Sequence, residues 1–521
     1  MRNSKRLLKR TLGSLPLAAE LDFQRRGGKP RRGFSLPKLE EAIGLWAEQA
    51  AASPHRHDAG KRVLVFGMLR YWVEHTSLLS LALAGLGHRV TLAYLPYGDW
   101  RTPLEDFDRR SHDLYAKRVL APAAQMVDVQ SLLDVEPAAR LPKELAAAIK
   151  QVSVRDVQYT EQVEEINMSG TLFNLRRERN SFAARAFLAR LKANPPEVVI
   201  VPNALILEFG ALFQTARHLG IPVVSYEFGE QRDKIWFSKD VEVMLQDTRA
   251  LWAKFKDAPF SEAQFEQVRG LFTHRRTASL YENFYRKWQV TPSEGAQTAR
   301  AKLGLDDRPV AVLAANVIGD SLTLGRAVFS ESMTEWLRRT LRHYAARPDW
   351  QFVLRVHPGE ANMTGPSVAD LARAELPELP ENMHIVAATD AVNTYDLIGL
   401  ADLGLVYTTT VGMEMAMNGL PAVVVGNTHY RGKGFTLDPA SWDKYFALLE
   451  AQPPKLTEAQ TRQAWHYAYR FFFDYPLPFP WHLIHFWDSV QDWTPGRVFS
   501  DKGMRAFKST FDALVGEEKG N

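Results

Sequence analysis

The chain has 521 residues, 46% hydrophobic and 24% charged, which is too long for one ordinary core and fits two or three domains of ~100–200 residues each, with ligand clefts between domains. It contains no cysteine, which excludes disulfides, thiolate metal sites and thiol nucleophiles, and no apolar run approaches the ~20 residues of a membrane helix. The net charge of +4 is uneven: residues 1–33 carry ten Lys/Arg against Glu20 and Asp22, leaving 54 basic and 58 acidic residues beyond.

That basic head interleaves Leu with Arg and Lys, as in Arg6-Leu7-Leu8-Lys9-Arg10. A solvated tail fits the pattern, and so does peripheral contact with the inner face of an anionic membrane, at ~1 kcal/mol per basic residue. No basic, aromatic-interleaved stripe continues into the body, so nucleic acid is not an expected partner. The opening stretch also lacks the ~7–15 apolar residues of a signal-peptide core, and a cytoplasmic protein is expected. Residues 1–55 are read as an N-terminal extension.

Arg62-Val63-Leu64-Val65-Phe66-Gly67 is the first strand, an apolar run that needs both faces buried, as in a parallel sheet. A helix follows over Thr76–Ala84, stopped by Gly85 and Gly87, and Arg89–Tyr94 is the next strand. Residues 103–195 read as a helical insertion with no alternating strand. The strand–helix rhythm resumes with Glu197–Pro202, a helix over Leu207–Leu219 and a strand at Ile221–Tyr226, completing a Rossmann-like domain over 56–250 with right-handed crossovers.

Residues 251–300 read as a helical linker. Arg308–Ala315 opens a second Rossmann-like domain over 301–460, whose further strands are Gln351–Val356, Met383–Ala387, Leu403–Tyr407 and Pro421–Val425. The aromatic stretch from Trp465 to Trp493 places helices over 461–521 that cross back onto the N-terminal domain. The expected class is therefore α/β, with two parallel-sheet domains facing a cleft.

Two clusters in the N-terminal half carry chemistry or resemble it. The loop Gly67-Met68-Leu69-Arg70-Tyr71-Trp72 lacks the repeated glycines a pyrophosphate requires, so this domain is expected to hold an acceptor rather than a dinucleotide. Arg70, Tyr71, Trp72, Glu74 and His75 offer a cation, stacking rings and a base at a strand's carboxyl end; packed aromatics beside a solvated Glu74 account for them equally well. In Tyr226-Glu227-Phe228-Gly229-Glu230-Gln231-Arg232-Asp233-Lys234, either Glu227 or Glu230 suits a general base that takes a hydroxyl proton, and the glycine allows close approach. The competing reading is a surface loop laced with ion pairs worth under ~1 kcal/mol each.

In the C-terminal half, Arg355-Val356-His357-Pro358-Gly359-Glu360 ends a strand where an imidazole or guanidinium can contact a phosphate. Thr408, Thr409 and Thr410 run from a strand into a helix that carries Glu414, a hydroxyl-rich helix start suited to an anion. One cap explains one of these threonines and not three, and Glu414 also suits a first helical turn. Asn316 and Ser321 lie in a loop facing the same cleft, suited to a phosphate or sugar or else forming an ordinary Gly-Asp turn. The pair Asp106-Phe107-Asp108 follows Pro103-Leu104-Glu105 rather than an apolar strand, so it reads as a helix start or a solvated turn and no metal site is expected.

The stretch TTTVGMEMAMNGLPAVVVGNTHYRGKGFT, Thr408 to Thr436, resembles the capsule polysaccharide biosynthesis family, which includes Kdo transferases. The similarity lies in the hydroxyl-rich turn, Glu414, Gly419 with Pro421, Gly426 with Tyr430, and Gly434 with Thr436. His357-Pro358 is also similar to a nucleotide-binding motif of that family and of bacterial GT-B sialyltransferases, and Tyr226–Gly229 loosely resembles the latter's acidic base motif. The resemblance implies a GT-B fold and an inverting glycosyltransferase needing neither metal nor cofactor. Such an enzyme would move a sugar from CMP-Kdo or another CMP- or UDP-sugar to a surface glycan or lipid-linked acceptor. Two other readings share the architecture: a nucleotide-sugar 2-epimerase-like enzyme, and a non-catalytic nucleotide-sugar-binding scaffold of the polysaccharide machinery.

Overall fold

The computed structural model describes residues 11, 13, 15–57, 60–285, 287, 289–363, 365–483 and 492–516. The Arg6–Arg10 run of the basic head, and residues 484–491 of the aromatic stretch, lie outside the described residues. Among the described residues no helix is long and apolar enough to cross a membrane. In chain order the strands are β1 (Arg62–Met68), β2 (Arg89–Leu95), β3 (Asp128–Ser131), β4 (Val198–Pro202), β5 (Val223–Phe228) and β6 (Lys234–Lys239). They continue with β7 (Val310–Ala314), β8 (Gln351–Arg355), β9 (Met383–Val386), β10 (Leu403–Val406), β11 (Ala422–Val424) and β12 (Leu477–Pro478).

Two compact units result, one of Met1–Asp156, Asn167–Met244 and Leu477–Asn521, the other of Val157–Ile166 and Leu245–Pro476. The first unit's sheet runs β12-β6-β5-β4-β1-β2-β3. Strands β3-β2-β1-β4-β5 are parallel, with Val63 flanked by Val90 and Val198. Three strands escaped the sequence pattern. β3 is a four-residue edge strand inside the helical insertion, half-exposed and without an apolar run. β6 is antiparallel to β5, so Tyr226–Lys234 closes a hairpin instead of leading into a crossover. The two-residue β12 extends the sheet antiparallel to β6.

The helix after β1 spans Arg70–Gly85, six residues earlier than the apolar pattern indicates. Packing decides its start. Leu69, at φ 63° and ψ 150°, turns the chain so that Trp72, Glu74 and His75 are buried against the unit's core. The helix tolerates its buried hydroxyls because Thr76, Ser77 and Ser80 bond back to the carbonyls of Trp72, Val73 and Thr76.

The second unit's sheet runs β11-β10-β7-β8-β9, all parallel, and so repeats the strand order of the first unit's parallel core. Its central strand, β7, is buried at every residue, and alternation sends its side chains into two clusters. Val310, Val312 and Ala314 meet Trp252, Val268, Leu271 and Phe272 from residues 250–300. Ala311 and Leu313 meet Trp336, Leu337 and Leu341 of the helix Met333–Ala345. The α/β organisation expected from the sequence is what forms, as two Rossmann-like units. In each, sheet order reverses between the first and fourth strands, β1/β4 and β7/β10, and open α/β sheets bind ligands beyond the carboxyl ends at that point.

Candidate functional site

At the β7/β10 switch point of the second unit, the loops after the two strands are joined directly. The Thr408 N–H donates to Asn316 Oδ1 at 3.1 Å, and both residues are buried. The Thr408 hydroxyl oxygen is buried and has no hydrogen-bond partner among the described residues, while the Thr428 hydroxyl donates to the Thr408 carbonyl at 3.2 Å. Thr409 Oγ1 accepts from Val411 N at 3.4 Å. Thr410 occupies the cap position of the helix Val411–Met417 without a side-chain cap; its hydroxyl donates to Glu414 Oε1 at 3.2 Å. The seven-residue helix is therefore started by Thr409 and Thr410 together, and only Thr408 is left with an uncommitted hydroxyl.

Glu414, expected to face a nucleotide, turns instead into the unit's interior. Its Oε1 lies 3.1 Å from Arg275 of the helix Glu262–Arg276, both side chains are buried, and the guanidinium rests on Phe272 and Phe472. An ion pair desolvated on both sides fixes the helix in place. Ser321 is buried in the turn after β7, where Asp320 accepts from Leu322 N at 2.7 Å, so a Gly-Asp turn is present beside the switch point.

His357 follows β8 at the same end of the sheet. Its Nδ1 accepts from Gly359 N at 3.0 Å, which puts the ring proton on Nε2, and burial together with nearby Arg355 pushes its pKa down to about 4. The imidazole is thus a neutral donor at physiological pH. Arg355 itself is buried, donating to the Ala387 carbonyl at 2.7 Å and the Thr394 hydroxyl at 3.3 Å, and pairs with no carboxylate among the described residues. Arg326, which the sequence reading missed, is buried and donates to the carbonyls of Leu245 and Asn427. Two buried guanidiniums, a neutral imidazole donor and buried hydroxyls thus follow strands at one end of the sheet, and groups of this kind favour an anion.

In the first unit, strain collects at the β1/β4 switch point. Leu69 after β1 and Asn203, Ala204 and Leu207 after β4 all have positive φ, between 58° and 68°, a conformation costing a non-glycine residue ~1–3 kcal/mol. Asn203 Nδ2 donates to Glu227 Oε2 at 3.4 Å while Glu227 Oε1 accepts from Phe228 N at 3.0 Å. Glu227 thus sits at the end of β5, half-buried and aimed by Asn203, and Glu230 is half-buried in the hairpin turn. No signal in the sequence marks Asn203 as the residue that orients this carboxylate.

Of the expected acceptor residues, only Arg70 is half-exposed. Tyr71, Trp72 and His75 are buried. His75 accepts from Trp481 Nε1 at 2.7 Å through Nδ1 and bonds the Tyr226 hydroxyl at 2.8 Å through Nε2, and burial pushes its pKa down to about 3. It is a neutral bridge inside an aromatic cluster with Phe228 and Phe479. Glu74 is fully buried, and neither carboxylate oxygen has a hydrogen-bond partner among the described residues; burial raises its pKa to about 7. A further buried set was invisible in the sequence because its members lie far apart in the chain. Arg176 donates to Asp156 at 2.9 Å and Glu208 at 2.7 Å, and Leu207 N donates to Asp156 at 2.6 Å, tying the strained β4 loop to the insertion helices.

No family model and no curated protein matches the chain. Among solved structures it is similar to the Thermosulfurimonas dismutans KpsC beta Kdo 2,4 transferase, at 16% identity and TM-score 0.35 over 55% of this chain and 82% of that one. It is also similar to S. aureus MnaA in a UDP co-structure, at 12% identity and TM-score 0.30 over 88% of this chain and 99% of that one. A third is UDP-GlcNAc 2-epimerase from Neisseria meningitidis bound to UDP-GlcNAc, at 13% identity and TM-score 0.23 over 79% and 98% of the two chains. At such identities and TM-scores no residue role passes from them to this chain.

Proposed function

We propose that the chain is a GT-B glycosyltransferase whose second unit holds a nucleotide-sugar and whose first unit activates an acceptor hydroxyl. The observation that carries this reading is the joined β7/β10 switch point, where a buried, uncommitted Thr408 hydroxyl sits at the same sheet end as Arg326, Arg355 and neutral His357. Donors of this kind suit a phosphate that gains charge as it leaves. Glu227, aimed by Asn203, or Glu230 takes the acceptor proton as the hydroxyl oxygen forms its bond to the anomeric carbon. The bond from that carbon to the phosphate oxygen breaks in the same step, with inversion and without a metal. The sequence resemblance points to CMP-Kdo or another CMP- or UDP-sugar as donor and a surface or capsule-type glycan as acceptor.

One observation favours the epimerase-like alternative: burial of Tyr71, Trp72 and His75 removes most of the expected acceptor surface. A product that stays nucleotide-linked would identify it. The direct test is a thermal-shift panel with CMP, UDP, GDP, ADP and NAD on wild type and His357→Ala, where ligand at ~100 times its dissociation constant stabilises by ~2.7 kcal/mol. A shift with one pyrimidine nucleotide that disappears in the variant supports the donor site; the absence of any shift in folded protein overturns it.

A further inference from the structure

Residues 157–166 comprise the end of the helix Lys143–Glu161 and the start of the loop that leads to the helix Thr171–Ala193, yet they pack within the second unit, against the loops at the carboxyl end of its sheet. Three observations show that these loops are shaped for them. Glu164 accepts from Met333 N at 2.8 Å and Thr334 N at 2.7 Å, satisfying the first amides of the helix Met333–Ala345. Two glycines make room for the strap: a Cβ at Gly319, after β7, would lie 2.4 Å from the Gln158 carbonyl, and one at Gly365, after β8, would lie 2.6 Å from Gln162 Cβ. Gln162 itself holds a left-handed backbone at φ 56°, strain that its contacts maintain.

Gln162 forms one wall of a pocket of about 250 Å³ whose other walls include Val317, Glu360, Ser367, Arg373 and Thr389. The pocket lies beyond the carboxyl ends of β7, β8 and β9, next to His357 in the chain, and is smaller than the ~300–1,000 Å³ that holds a whole drug-sized ligand. It therefore suits one part of a nucleotide. The Gln162 amide is oriented from one side only: Oε1 accepts from Gly365 N at 3.1 Å, while Nε2 rests against the Met363 thioether, a weak acceptor. Among the described residues that amide nitrogen, with its two N–H groups, meets no stronger acceptor than the Met363 thioether, and a ligand carbonyl supplies one.

We propose that the strap 157–166 completes the donor pocket and that Gln162 is a specificity-determining residue, donating through Nε2 to a ring carbonyl of the nucleotide base. The inference rests on the reading of the second unit as the nucleotide-binding half. Pyrimidines carry the required carbonyl at C2, and adenine has none, so the residue favours CMP and UDP over AMP. The strap's anchoring by Glu164 and the two glycines is what holds that amide in place.

Isothermal titration of CMP, UDP and AMP into wild type, Gln162→Ala and Gln162→Gly tests this. Gln162→Gly suits the left-handed backbone and removes only the side chain, so it remains folded if alanine does not. The expected result is that both variants weaken CMP and UDP about fivefold, the value of one neutral hydrogen bond, and leave AMP unchanged. A CMP-to-AMP affinity ratio equal to that of wild type overturns the role of Gln162 while leaving the nucleotide site intact. Wild type that binds none of the three overturns the nucleotide reading and this inference together.

Discussion

Thr408 and Asn316 stand at the carboxyl ends of β10 and β7, neighbours in the second unit's sheet, and the Thr408 N–H donates to Asn316 Oδ1 at 3.1 Å. The bond fixes the spacing of two loops at the switch point, so its loss acts on both stability and ligand. Asn316→Ala leaves a buried N–H without its acceptor and is expected to cost ~1–3 kcal/mol in urea unfolding, with weaker pyrimidine-nucleotide binding. Asn316→Asp keeps an acceptor and retains most of the stability. Equal unfolding midpoints for wild type and Asn316→Ala would show that the bond does not hold these loops.

Glu414 separates a structural role from a donor contact. Its pair with Arg275 is buried on both sides, so Glu414→Ala strands a guanidinium among Phe272 and Phe472 and is expected to destabilise by ~3–5 kcal/mol. In the fraction that remains folded, nucleotide affinity stays within about threefold of wild type. A tenfold loss of affinity at unchanged stability would instead make Glu414 a ligand contact.

These two residues also show what the sequence could and could not convey. The parallel strands flanked by helices were legible because each is a short apolar run bounded by turn residues, and β1, β2, β4, β5 and β7 to β11 fall within two residues of the expected positions. β3, β6 and β12 were not legible: a two- or four-residue edge strand has too little apolar sequence to mark it, and β6 reads as a charged loop until its pairing with β5 is seen. The sequence placed the hydroxyl-rich turn at Thr408 and the Asn316 loop on the same cleft, but not the hydrogen bond between these residues, 92 positions apart. It likewise could not reveal that Glu414 points inward to Arg275, that His75 bridges Trp481 and Tyr226, or that Gln162 belongs to the second unit. Each depends on tertiary contacts between segments distant in the chain.

The buried histidines predict how stability responds to acid. His75 and His357 have pKa values lowered from 6.5 to about 3 and about 4, so the unfolded chain binds more protons than the folded one between those values and 6.5. Their contribution is complete above pH 6.5 and is lost as pH falls toward 4. Urea midpoints are expected to fall between pH 7 and pH 4, and the His75 ring to remain neutral at pH 5 by NMR. An imidazolium signal from His75 at pH 5 would contradict its placement between Trp481 and Tyr226.

Glu74 works in the opposite direction. Its pKa is raised from 4.5 to about 7 by burial, with neither oxygen hydrogen-bonded among the described residues, so the folded state binds the extra proton. The favourable contribution is complete below pH 4.5 and is lost as pH rises through 7, where the carboxylate must ionise inside the core. Glu74→Gln removes that charge while keeping the shape. It is expected to be more stable than wild type by ~1–3 kcal/mol at pH 9 and to differ little at pH 5, measured as urea unfolding at both values. Should the variant lose stability equally at both pH values, the Glu74 carboxylate has a hydrogen-bonding partner that its orphaned position excludes, and the pH dependence must come from another group.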